Sequence, residues 1–241
     1  MDINNINKSI NNIKNKDNNI KHEYNEISFS NGNLYRGELK LINDNEPIMD
    51  GKGYLLINNG DYYIGDFKDD NLEGFGMYIC SKEKNRYIGQ FKNNKYDGYG
   101  KFRYKNGNEY IGEFKNGLMN GYGIFIYKSG NTYEGDFIND EQNGIGIFKY
   151  SENEYYEGEF KNDYMNGIGK YMFDDGDYNI GEYKSDKKNG FGINYYISNN
   201  ERYEGQFKND KKNGFGIIFN NKTNEIIKKG FFVDNLLKNY I

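Results

Sequence analysis

Six acidic residues recur at one place along the chain. Glu38, Asp66, Glu113, Asp136, Glu159 and Glu182 each follow the glycine of a recurring Tyr/Gly segment, with Gln90 and Gln206 at the same place. Convergent carboxylates are what hydrolysis or a metal ion would need. A ladder with one acid per segment does not bring two together, however, and lysines follow two residues later at Lys68, Lys92, Lys115, Lys161, Lys184 and Lys208. That pattern predicts a solvated ion-pair face in which each pair contributes little. The Gly-x-Gly pairs do not read as a phosphate cradle. None carries the third glycine of G-x-G-x-x-G, and none precedes a helix signal or a Lys-Ser/Thr pair. His22 is the sole histidine and has no cysteine or second histidine nearby, so it lacks partners for metal or base chemistry. Cys80 is the sole cysteine and stands where Tyr104, Tyr127 and Tyr150 stand in other segments, which predicts a half-buried structural role. No Ser-His-acid or Cys-His arrangement follows, and no catalytic residue, cofactor or metal site is expected.

What positions these residues is a repeat. The stretch 133–146, YEGDFINDEQNGIG, returns along the chain as Tyr63-x-Gly65 with Gly74-x-Gly76, and as Tyr87-x-Gly89 with Gly98-x-Gly100. It returns again at Tyr110, Tyr156 and Tyr203. From Gly65 to Gly205 the first glycines fall 24, 23, 23, 23, 23 and 24 residues apart. Regularity of this kind defines a repeat protein, in which length sets copy number rather than domain count. Each copy reads as two short strands. Tyr110-Ile-Gly112-Glu-Phe114 alternates with period two, placing Tyr110, Gly112 and Phe114 on one face. The chain then returns as Gly121-Tyr-Gly123-Ile-Phe125, and Gly turns such as Asn106-Gly107 and Asp175-Gly176 lead to the next copy. Glycine inside a strand ordinarily weakens it. Its recurrence predicts that aromatic rings lie across the backbone there, which also accounts for 17% aromatic content beside 31 glycines and no Trp.

This pattern resembles the MORN (membrane occupation and recognition nexus) repeat. Tyr110-Ile-Gly112-Glu-Phe114-Lys-Asn-Gly117-Leu-Met-Asn-Gly121-Tyr-Gly123 matches its motif throughout, except that Phe114 replaces Trp. Phe67, Phe91, Phe137, Phe160 and Phe207 make the same replacement, with Leu39 and Tyr183 in outlying copies. The motif's middle glycine survives only at Gly117. Asp70, Asn94, Asp140, Asp163, Asp186 and Asp210 stand there instead, residues that also adopt such turns. The resemblance implies an all-β fold, an elongated, twisted antiparallel β-hairpin repeat ribbon of solenoid type. About eight units plus incomplete ends give some 16–18 strands, roughly 75–85 Å of stacked strands at ~4.8 Å each. It does not imply one activity, because the repeat accompanies membrane-junction proteins, lipid kinases, methyltransferases and cytoskeletal scaffolds.

The expected organisation is an Asn/Lys-rich segment over 1–23, disordered or marginally helical, then repeats over 24–233 and a short cap over 234–241. In the first segment Ile3, Ile6, Ile10, Ile13 and Ile20 carry helical spacing, against many asparagines. Gly37 to Gly51 spans 14 residues instead of nine, which predicts an insertion over Ile42–Asp50 around the only proline, Pro47. In the seventh copy Tyr178 lies three residues before Gly181, leaving Asn179 at the tyrosine position; either a bulge restores the ring or this unit has a weaker core. Residues 234–241 could form a short helix over the last strand.

A net charge of −4 draws the chain neither to nucleic acid nor to acidic bilayers, and nucleic-acid partners are not expected. Basic residues occur as pairs, Lys187-Lys188 and Lys211-Lys212 among them, fewer than a lipid site requires. The expected function is a non-catalytic scaffold or adaptor that binds proteins through its repeat surface. Its expected location is cytoplasmic, in association with cytoskeleton or membrane. The alternatives are a phosphoinositide- or inner-membrane-binding module, or the regulatory part of a larger lipid kinase or methyltransferase. Strand alternation turns Tyr62, Tyr99, Tyr122 and Phe191 away from the Tyr-Gly-Phe core, and they are the candidate anchors on a concave face. Homodimerisation through the terminal copies and weak peripheral contact with acidic lipid are separate expectations.

Overall fold

A computed structural model describes residues 8–9, 22–41 and 47–240. The Ile3–Ile20 stripe lies outside the described residues apart from Lys8–Ser9, and so does the greater part of the 42–50 insertion. All regular structure among the described residues is β, in twenty strands. Two compact units are present, Met1–Met119 and Asn120–Ile241.

The first unit runs β1 (Lys8–Ser9), β2 (His22–Phe29), β3 (Leu34–Lys40), β4 (Ile48–Leu56), β5 (Tyr62–Lys68), β6 (Asn71–Cys80), β7 (Asn85–Lys92), β8 (Lys95–Arg103) and β9 (Glu109–Lys115). Each strand pairs antiparallel with the next in chain order. The second unit runs β10 (Leu118–Ile126), β11 (Thr132–Ile138), β12 (Glu141–Lys149), β13 (Tyr155–Lys161), β14 (Tyr164–Met172), β15 (Tyr178–Lys184), β16 (Lys187–Tyr196), β17 (Glu201–Lys208), β18 (Lys211–Asn220), β19 (Ile226–Val233) and β20 (Leu236–Tyr240). Its strands pair in the same sequential, antiparallel way.

Register follows from the glycines. The Tyr-x-Gly glycine pairs directly with the second glycine of Gly-x-Gly, as Gly65 with Gly76 and Gly135 with Gly146. The tyrosine of the same strand lays its ring over both. A Cβ at Gly146 would meet the Tyr133 ring at 2.5–2.7 Å, and one at Gly135 would meet the Gly146 Cα at 2.6 Å. Tyr35, Tyr63, Tyr87, Tyr110, Tyr133, Tyr156 and Tyr203 are wholly buried. Their hydroxyls donate to the carbonyl three residues on, from Tyr35 to Glu38 O at 2.7 Å through Tyr203 to Gln206 O at 3.0 Å.

Tyr63, Tyr87 and Tyr133 each pack edge-on against the phenylalanine of their own copy and of the next. Tyr63 lies 5.1 Å from Phe67 and 4.9 Å from Phe91, and Tyr133 lies 5.1 Å from Phe137 and 5.0 Å from Phe160. Such T-shaped pairs contribute about 0.5–1.5 kcal/mol each beyond area burial. The core of each unit is therefore an aromatic column, with a second ring from the neighbouring copy closing each layer.

Three copies depart from the pattern. The first, β3–β4, keeps the whole geometry although Leu39 replaces the phenylalanine, and Gly37 pairs with Gly53. In the seventh no bulge restores the ring: Asn179 stays in register opposite Tyr171 and Asn194, is buried, and accepts from the Tyr183 hydroxyl at 2.8 Å. Tyr178 instead turns to the other face and stacks on Tyr195 at 4.3 Å. In the last, Phe232 takes the phenylalanine place against Tyr203 at 5.3 Å. Residues 236–240 are a strand and not the short helix expected from the sequence, because β19 offers a free edge that Leu236 and Leu237 pair against.

Candidate protein-binding surface

The chemistry of the acid ladder is settled by a bulge. Between Gly65 and Phe67 the partner strand passes from Gly76 to Leu72, fitting two residues more than β5 does. Gly74 absorbs it with φ +65°, and the equivalent glycines run from +65° to +119°. The N–H freed at the bulge donates to the ladder side chain. Phe75 N donates to Asp66 Oδ2 at 3.0 Å, Tyr99 N to Gln90 Oε1 at 2.7 Å and Ile168 N to Glu159 Oε1 at 2.8 Å. Phe191 N to Glu182 Oε1 at 2.9 Å and Phe215 N to Gln206 Oε1 at 3.1 Å complete the same bond further along. An acceptor oxygen is what the position requires, which is why glutamine replaces acid at Gln90 and Gln206. At Asp66, Glu159 and Glu182 this backbone role stands in place of the expected pairs with lysines two residues on, and Asp66 takes its cross-strand partner Lys52. Burial pushes the Asp66 carboxyl up, but Lys52 and the Phe75 N–H more than offset it and hold its pKa below the usual value.

The bulge also aims the middle residue of each Gly-x-Gly outward. Tyr99 is 64% exposed, Tyr122 51% and Phe191 55%. Phe75, Ile145, Ile168 and Phe215 occupy the same place and are exposed too. In the second unit these residues sit on β10, β12, β14, β16 and β18, one per hairpin, at steps of about 9.6 Å (two strand spacings). Ile64 and Ile111 flank the row in the first unit and Ile180 in the second, all exposed. The Tyr99 hydroxyl donates to Glu113 at 3.3 Å, and the Tyr122 hydroxyl to Glu134 at 2.6 Å. Each ring thus offers an apolar body with a fixed polar tip, the combination that anchors interfaces.

Of the four residues singled out from sequence, Tyr99, Tyr122 and Phe191 fall in this row. Tyr62 shares the face but is half-buried, its ring tilted against Tyr54 at 5.9 Å. Phe75, Ile145, Ile168 and Phe215 went unnamed, although their position between two glycines was the available signal. Cys80 is half-buried at the end of β6, as a structural residue would be. Among the described residues no three His, Cys, Asp or Glu side chains converge to hold a metal, and no helix is long and apolar enough to cross a membrane.

Sequential hairpins, a ring-over-glycine core and an opposite face of exposed apolar residues define a β-hairpin repeat protein of the scaffold class. The chain belongs to the MORN repeat family, whose pattern matches residues 63–83, 87–109, 110–132, 133–154, 156–178, 180–200 and 203–222. MORN repeats act as protein-binding scaffolds and are not themselves catalysts. No individual curated protein matches the chain. Among solved structures, the SAS-4 (dCPAP) TCP domain in complex with a proline-rich motif of Ana2 (dSTIL) from Drosophila melanogaster is similar at 14% identity and TM-score 0.35, covering 72% of this chain and 92% of that one. A likeness at that level carries no argument about function.

Proposed function

We propose that the chain is a cytoplasmic scaffold whose exposed apolar face binds extended protein segments, at a boundary between cytoskeleton and membrane. The observation that carries this reading is the row Phe75, Tyr99 in the first unit and Tyr122, Ile145, Ile168, Phe191, Phe215 in the second. Large apolar side chains are held there in the open, one per hairpin, while the fold's own packing uses the other face. Similarly spaced anchors give multivalent attachment, in which several weak contacts sum to a stable one. Proximity labelling from the full chain, compared with a variant carrying Phe75→Ser, Tyr99→Ser, Tyr122→Ser and Phe191→Ser, tests it. The expected result is loss of specific cytoskeletal or membrane-associated partners with an unchanged melting curve. An unchanged partner set, or labelling confined to nuclear or secreted proteins, contradicts it.

Self-association is a second reading, favoured by the exposure of Phe231, Val233, Leu236 and Tyr240 around the last strands. An exposed strand edge with apolar flanks is a template for pairing with another copy. Sedimentation of the full chain against one ending at Asn220 separates the two, since self-association retained after truncation removes this reading.

A further inference from the structure

Basic residues that the sequence shows only as scattered pairs gather at one edge of the second unit. Lys184 lies directly opposite Lys187 across β15–β16, and Lys208 directly opposite Lys211 across β17–β18. All four are exposed. The two turns belong to neighbouring hairpins stitched together: Asp210 N donates to Lys188 O at 3.0 Å, and Lys188 N donates to Asp210 Oδ1 at 2.9 Å. Lys161 holds the equivalent place on β13, and the next turn is stitched to β14 in the same way, with Asp186 N on Met165 O at 3.1 Å.

Beneath the exposed lysines lie two more. Lys188 and Lys212 occupy the core position that Leu72, Met119 and Met165 fill in other copies. The Lys188 ammonium sits 5.1 Å from the Phe207 ring centre, and that of Lys212 sits 4.9 Å from Tyr196 and 4.8 Å from Tyr203. Burial lowers the pKa of both. Like charges placed opposite one another across strands destabilise a sheet, and a half-buried ammonium costs more than a methionine. The ring contacts, and the Lys188 ammonium 3.5 Å from Asn194 Oδ1, offset part of that cost for the two buried lysines; the exposed pairs Lys184–Lys187 and Lys208–Lys211 have no such return from each other. The Lys92–Lys95 pair of the first unit differs, since the preceding hairpin end pairs Lys68 with Asn71. Like-charge pairs repeated at two successive hairpin ends break a local rule twice at one place, which marks a functional site.

We propose that this lysine edge docks an acidic protein segment in polyproline II conformation, with carboxylates three residues apart. A polyproline II chain has three residues per turn and rises about 3.1 Å per residue, so every third side chain returns to the same face ~9 Å further on. Successive hairpin ends lie about 9.6 Å apart, two strand spacings. The turn-tip carboxylates favour a peptide over a membrane plane. Asp186 and Asp210 are exposed between the lysines, each giving one oxygen to a backbone N–H, and Asp234 pairs with Lys211 at 3.4 Å. A peptide sets its acids between these groups, whereas a continuous anionic surface is repelled by them. The site is separate from the exposed apolar row, and its failure leaves that reading untouched.

The test uses the full chain and a fluorescent peptide bearing four glutamates at every third position, followed by anisotropy at about 50 mM salt, where charge pairing is weakly screened. Comparison probes are a peptide with the same glutamates contiguous and vesicles of phosphatidylcholine with phosphatidylserine. The spaced peptide is expected to bind most tightly and to weaken as salt rises. Lys184→Gln, Lys187→Gln, Lys208→Gln and Lys211→Gln together are expected to weaken it about tenfold or more. Lys92→Gln with Lys95→Gln is expected to leave it within about twofold, because an isolated exposed pair contributes little. Melting curves of both variants show that each remains folded. Equal loss in the two variants, no saturable binding, equal affinity for the contiguous peptide, or binding to vesicles alone each overturns the proposal.

Discussion

A buried tyrosine in this chain fills a layer of the core, bonds its hydroxyl to a backbone carbonyl and dictates that two facing residues have no side chain. Tyr133 shows all three, through Asp136 O at 3.0 Å and through Gly135 and Gly146. Gly146→Val places branched carbons inside the Tyr133 ring, and overpacking of that kind costs about 1–3 kcal/mol or more. The expected outcome is a melting temperature lowered by several degrees; a fully retained melting curve contradicts the role assigned to this glycine. The function of these glycines was legible in the sequence because a costly residue recurred at fixed places beside an aromatic one. The role of Asp66 and its equivalents was not. A carboxylate before phenylalanine reads as surface charge until the bulge N–H of Phe75 is seen to need an acceptor, and only the glutamines at Gln90 and Gln206 hinted that charge was dispensable.

At the scale of the hairpin, an Asx-Asx turn joins the two strands of a copy and fastens it to the previous one. Asn93-Asn94, Asn162-Asp163 and Asn209-Asp210 have φ between +47° and +68° at both residues, the turn that matches strand twist. The second side chain then reaches back: Leu72 N donates to Asn94 Oδ1 at 2.7 Å, and Gln142 N to Asp163 Oδ1 at 2.8 Å. Asp and Asn at this place therefore do what the family's glycine cannot. Gly117 retains only the backbone bond, its N–H donating to Tyr96 O at 2.8 Å, and a Cβ there would meet nothing within 4 Å. Asp163→Gly is expected to take the acceptor from Gln142 N and destabilise the chain by about 0.5–1.5 kcal/mol, the net worth of one hydrogen bond; an unchanged melting temperature contradicts that account. Hairpins were readable from turn residues and alternation. The last strand was misread because Leu236, Leu237 and Tyr240 carry helical spacing, while what decides their state is the open edge of β19, a tertiary feature. The seventh copy stayed ambiguous for a related reason: whether Asn179 could be buried depended on Asn194 and Tyr183 arriving to satisfy it.

At the scale of the whole molecule, the same tyrosines tie stability to alkaline pH. Burial raises the hydroxyl pKa of Tyr35, Tyr63, Tyr87, Tyr133 and Tyr156 above the usual phenol range, and pushes that of Tyr203 up to about 12. A raised folded-state value means the fold holds protons that the unfolded chain releases. Stability from these groups is full below the unfolded phenol pKa of about 10 and is lost as pH rises toward the folded values. Ultraviolet titration is expected to show the buried tyrosines ionising in one step together with loss of β signal, above the ordinary phenol range. The claim on which everything else rests is that one face of each hairpin is spent on the fold while the other is left free. Nitration of tyrosines at neutral pH, mapped by peptide, tests it directly. The account expects Tyr99, Tyr122 and Tyr164, each exposed by more than half, to react quickly, while Tyr35, Tyr63, Tyr87, Tyr110, Tyr133, Tyr156 and Tyr203 stay protected until the chain is unfolded. Reaction of the Tyr-x-Gly tyrosines at the rate of Tyr99, or protection of Tyr99 and Tyr122 in the isolated protein, would contradict it.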